Sequence, residues 1–154
     1  MKRLLLVLAL VGASGVVWAG FRRQSAAFCS PLFNTNWYEM TNNRGLISRG
    51  LGDQRFFCPV LDDSKFGRNT LTFVNVHVND TNAGPGRSVT ASACIQFFGS
   101  FGLACGTSSG TPSGTGTATL TPSVSQWTSF TAEFAYLEIT VCPDCQVYGY
   151  FPGT

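Results

Sequence analysis

Charge is what this chain has least of. Only 12% of its 154 residues are charged, 10 Lys+Arg against 8 Asp+Glu with one histidine, about half the usual charged fraction. Two of the basic residues, Lys2 and Arg3, precede an apolar run, and without them the balance is neutral. A neutral surface lacks the clustered cations that release counterions from phosphates, which excludes nucleic acid as a partner. It equally lacks a polybasic hold on an anionic membrane. Beyond Leu4–Ala19 the chain also has no further apolar run of membrane-spanning length.

That first run has the form of a bacterial export signal. Lys2-Arg3 make a positive start, Leu4 to Val11 are unbroken apolar residues, and Val17-Trp18-Ala19 offers small residues at the two positions a signal peptidase reads. An uncleaved anchor is the poorer reading, because about 16 apolar residues interrupted by Gly12 and Gly15 fall short of the roughly 20 needed to span a bilayer. The expectation is a signal peptide over 1–19 and one domain over 20–154, secreted, periplasmic or on the cell surface, with no membrane span after cleavage.

Glycine (17 residues), serine and threonine are abundant, and so is phenylalanine (13 residues). Such a composition suits short strands and polar turns. RFFCPVL (55–61) reads as a strand, with Pro59 marking an edge because it cannot donate to a ladder. In 70–79 the series Val74, Val76, Val78 alternates with Asn75, His77, Asn79, a period of two. In 88–98, Val89, Ala91, Ala93, Ile95 and Phe97 share a face. A Gly99-Ser100 hairpin turn would set Phe97 opposite Gly102 and Cys94 opposite Cys105, the latter in a wide, hydrogen-bonded pair. The Gly/Ser/Thr-rich segment 106–116 reads as a flexible surface loop. Strands resume at 117–121, 127–134, 136–142 and 146–151, although 125–135 also suits one or two helical turns. The fold class is all-β: a single antiparallel β-sandwich of about seven to eight short strands, disulfide-stapled.

Six cysteines (Cys29, Cys58, Cys94, Cys105, Cys142, Cys145) in an exported chain imply three disulfides. Cys29–Cys58 is the expected first bond. The other four pair either as 94–105 with 142–145 or as two bonds between those groups. Cys142-Pro143-Asp144-Cys145 lacks the following helix that a redox-active CxxC needs. It also lacks a second cysteine knuckle for zinc, so no metal and no cofactor are expected. The runs RFFCPV, VHVND, ACIQFF and AYLEITVCPDCQVYGYF resemble a group of secreted, cysteine-stapled proteins of Gram-negative bacteria, myxobacteria especially. The resemblance covers about residues 29–151 and implies a β-sandwich and export. The group has no assigned activity to carry over, and Cys105 and Cys145 are less typical of it.

No catalytic constellation stands out. His77 is alone and no G-x-S-x-G elbow is present. No pair of carboxylates suggests a glycosidase: Asp62-Asp63 lie in a turn, and Glu133 and Glu138 flank an apolar stretch. Asp80-Thr81-Asn82-Ala83-Gly84 opens like a calcium loop but has no glutamate at the twelfth position, so it reads as a turn. The chain is therefore expected not to be an enzyme. Amphipathic aromatics remain: Trp37, Trp127, Tyr148 and Tyr150, the last two sharing one face if the strand is regular. Trp127, Tyr148 and Tyr150 are the expected ligand-binding residues of a non-catalytic module for an extracellular polysaccharide or envelope component. The alternatives are an envelope subunit that assembles through sheet edges at Pro59 or the carboxyl-terminal strand, and a secreted hydrolase.

Overall fold

The computed structural model describes residues 23–32, 38–42, 45–60, 70–82, 84–97, 102–129 and 134–154. The expected signal segment, Trp37, Asp62-Asp63, the expected turn at Gly99-Ser100 and Glu133 lie outside the described residues. Among those described, twelve strands numbered in chain order form two sheets, and every pairing is antiparallel.

The first sheet runs Gly116–Leu120 (β10), Phe73–Asp80 (β6), Gln146–Gly153 (β12), Leu46–Ser48 (β4) and Tyr38–Met40 (β3), with Gln24–Ser25 (β1) also on β12. The second runs Ser30–Pro31 (β2), Gln54–Pro59 (β5), Phe134–Val141 (β11), Thr90–Gln96 (β7) and Leu103–Cys105 (β8), with Ser109–Gly110 (β9) also on β7. The period of two in β6 sends Val74, Val76 and Val78 inward, all fully buried. They share one core with Ala91, Ala93 and Ile95 of β7 and Leu137, Ile139 and Val141 of β11. Each valine, leucine or isoleucine among them contributes about 1.5–3 kcal/mol on burial. The result is a disulfide-stapled all-β sandwich. It has more strands than the seven or eight expected, because pieces of two or three residues such as β1, β2 and β9 are too short to show a periodicity.

Three disulfides close the fold: Cys29–Cys58, Cys94–Cys105 and Cys142–Cys145. The first two are cross-strand bonds with Cα–Cα distances of 4.1 and 4.0 Å. Cys94 does pair with Cys105, but the pair is of the narrow kind. Phe97 N–H donates to Gly102 O and Gly106 N–H donates to Ala93 O, so the hydrogen-bonded pairs fall at odd positions of β7 and Cys94 lies between them. A non-hydrogen-bonded pair brings Cα atoms to about 4.5 Å rather than about 5.5 Å, which suits a disulfide better. The third bond closes a turn in which Cys145 N–H donates to Cys142 O at 3.0 Å. Pro143 follows the first cysteine and Asp144 takes a positive φ of 61°, as a type II turn requires.

Three further expectations are corrected, and one open alternative is decided. Residues 106–116 are not a free loop: Ser109–Gly110 adds a strand to β7, and Thr111 N–H donates to Val89 O. Ser113 Oγ also donates to the carbonyls of Asn82 and Gly84. The carboxyl-terminal strand β12 is no edge, since β6 flanks it on one side and β4 and β1 on the other. Of the strand and the helical turn both open for its segment, Trp127 takes the helical turn, Ser125–Ser129 (α1). Finally, β12 carries a register shift between Val147 and Gly149, a bulge that breaks the alternation of Tyr148 and Tyr150. Gly149 is required there because a Cβ would meet Gln24 O at 2.5 Å, where β1 crosses closest.

Candidate functional site: the outer face of the first sheet

The side chains of β6 that do not enter the core line the outside of the first sheet. Asn75, His77 and Asn79 are each half-buried, and the register places Thr119 beside His77 and Thr117 beside Asn79. Thr121 Oγ1 donates to Asn75 Oδ1 at 2.9 Å, and Thr119 Oγ1 lies 3.0 Å from His77 Nδ1. On the other flank β12 sets Phe151 beside Asn75 and Gly149 beside His77. The His77 and Phe151 rings are 5.0 Å apart, and Phe73 meets Phe151 edge-on at 6.4 Å. The face is thus a polar ladder of amides, hydroxyls and one imidazole beside a row of half-buried aromatic rings. Tyr148, 38% exposed, stands at its border on the bulge.

The chemistry of this face is hydrogen bonding and stacking. With Oδ1 of Asn75 occupied by Thr121, its amide nitrogen still has two donors to offer, and Asn79 brings another carboxamide. Among the described residues His77 meets the Thr119 hydroxyl and the Phe151 ring, and no carboxylate pairs with it there. Glu138 instead binds Arg55 on the second sheet.

Of the residues expected to contact a ligand, only Tyr148 reaches the surface. Trp127 is fully buried, with its indole N–H donated to Cys94 O at 2.9 Å. Tyr150 is also buried, and its hydroxyl donates to Pro59 O. Burial raises its phenol pKa well above the usual value. These two rings pack the interior and present no stacking surface. The ladder itself was legible as polar alternation in β6. Its aromatic flank was not, because assigning Phe73 and Phe151 to the same side requires the bulge in β12. Asp80 and Asn82 each cap the backbone two residues on: Asn82 N–H donates to Asp80 Oδ1 and Gly84 N–H donates to Asn82 Oδ1. One group of possible metal ligands comes together among the described residues: Asp80, Cys142 and Cys145, all buried.

Compared with family models and with curated proteins, the chain matches none. Three disulfides fit an extracellular or periplasmic protein. No described helix is long and apolar enough to cross a membrane.

Proposed function

We propose that this protein is an exported, non-catalytic binding module for an extracellular polysaccharide, and that its site is the outer face of β10, β6 and β12. The carrying observation is the juxtaposition of Asn75, His77, Asn79 and the Thr117–Thr119–Thr121 row with the rings of Phe151 and Phe73. A sugar ring needs an aromatic face for its C–H side and amides or hydroxyls for its own hydroxyls, and this surface supplies both within neighbouring strands. The low charge of the chain matches a neutral ligand. The amino-terminal signal pattern and the disulfides support an extracytoplasmic setting.

Retention of the oxidised protein on a panel of insoluble polysaccharides and isolated cell envelopes tests this. Wild type is expected to be retained on at least one matrix. Asn75→Ala and Phe151→Ala should each weaken retention about tenfold, the size of a single interface hot spot of about 1.4 kcal/mol. Retention on none of the matrices, or retention indifferent to both variants, removes the reading.

A further inference from the structure

Asp80 ends β6 with its side chain turned into the interior, fully buried. Its carboxylate accepts the backbone N–H groups of Asn82 and Gly114 at 3.2 and 3.3 Å and the hydroxyl of Thr111. Oδ1 also lies 3.4 Å from Cys145 Sγ and 3.7 Å from Cys142 Sγ. A disulfide sulfur has no proton to donate, so this oxygen faces two sulfurs with nothing positive between them. Among the described residues, no cation pairs with Asp80. A second observation lies on the neighbouring strand. Ser48 N–H donates to Cys145 O at 3.1 Å, which sets Ser48 directly opposite Cys145, and its hydroxyl is buried without a hydrogen-bond partner. The ligand atoms of Asp80, Cys142 and Cys145 all lie within 4.8 Å of one another. Two sulfurs on a CxxC turn with a carboxylate oxygen are three of the four donors of a tetrahedral site for a borderline-soft divalent cation. The orphaned Ser48 hydroxyl lies on the neighbouring strand, opposite Cys145 in register.

We propose that Asp80, Cys142 and Cys145 become a binding site for a zinc-like divalent cation when the Cys142–Cys145 disulfide is reduced. The reductant is a dithiol. Its thiolate attacks one sulfur and its second thiol resolves the mixed disulfide, so the reductant leaves as a cyclic disulfide and both cysteines emerge as thiols. The cation then displaces the two thiol protons to solvent and binds both thiolates and Asp80 Oδ1. Because all three side chains are buried, reduction proceeds through local opening of the 142–145 turn. The oxidised protein, whose sulfurs are bonded to each other, does not bind the cation.

The test uses the folded protein reduced with excess dithiol and freed of it anaerobically, then titrated with Zn2+. Alkylation at each cysteine is followed by peptide mass spectrometry. The reduced protein is expected to take up one equivalent and the oxidised protein none. Zn2+ should slow alkylation of Cys142 and Cys145 at least tenfold and leave Cys94 and Cys105 unchanged. Asp80→Asn should weaken the affinity at least tenfold. Cys142→Ser/Cys145→Ser should abolish uptake. No uptake by the reduced protein, uptake undiminished in the double variant, or protection at other cysteines overturns the proposal. Should Asp80→Asn fail to fold, the protection pattern in the wild type decides alone.

Discussion

The two outer faces of the sandwich are built from the same alternation yet present different surfaces. On the second sheet the outward side chains are tied to one another. Arg55 Nε donates to Glu138 at 3.0 Å, Phe57 stacks on Tyr136 with centroids 4.5 Å apart, and Cys94 is bonded to Cys105. Beside them α1 anchors Trp127 on the Cys94 carbonyl. On the first sheet the outward groups make hydrogen bonds in pairs and keep further donors, with rings half open beside them. The lesson is a division of labour: changes around the second sheet should cost stability, and changes on the outer face of the first should cost binding.

The largest expected effect is that of Trp127→Ala. It removes a fully buried indole and the hydrogen bond that indole donates to Cys94 O, so unfolding free energy should fall by about 3–5 kcal/mol in denaturant titrations. Cys94→Ala/Cys105→Ala comes next. The bond closes a sequence separation of 11 residues, and its loss should cost about 2–3 kcal/mol. A protein that tolerates both changes with less than about 1 kcal/mol lost would break the proposed asymmetry, since that is the usual effect of an unremarkable substitution.

What was legible in the sequence follows the same line. Val74, Val76 and Val78 revealed their strand because a period of two is a local signal, and the opposition of Cys94 and Cys105 followed from counting across the hairpin. The placement of Tyr150 was not legible from alternation alone, since one extra residue at the bulge reverses the side on which it emerges. Gly149 was the available clue, because glycine inside a strand often marks a bulge. Trp127 is amphipathic by composition, and only the docking of α1 on β7 decides that it is buried. The polarity of 106–116 likewise has a long-range cause. Thr111 and Ser113 hold turns that are distant in sequence, a partnership no local pattern displays.

A smaller effect joins the two sheets. Tyr150 of β12 donates its hydroxyl to Pro59 O of β5, so Tyr150→Phe should cost about 1 kcal/mol at neutral pH, the net value of one hydrogen bond. Burial raises the pKa of Tyr150 above its unfolded value, and burial followed by the nearby Glu138 charge does the same for Tyr136. The folded state therefore favours the neutral phenols. Their contribution is complete below the unfolded pKa of about 10 and is lost as pH rises past it. Stability measured across that range should drop more steeply in the wild type than in Tyr150→Phe, and an identical slope would count against the buried position of Tyr150.

The smallest stability effect, and the sharpest test of the asymmetry, belongs to Thr119→Val and Thr121→Val. Valine keeps the β-branched shape and the strand preference of threonine and removes only the hydroxyl. Both residues are exposed at the edge strand β10 and its end, where they bond His77 and Asn75. Exposed substitutions of this kind shift stability by no more than about 0.5 kcal/mol. If the outer face of the first sheet is the binding surface, the pair of changes should weaken polysaccharide retention severalfold with the denaturation midpoint unmoved. A loss of stability with retention intact would reverse the assignment, making the threonine ladder a staple of the fold.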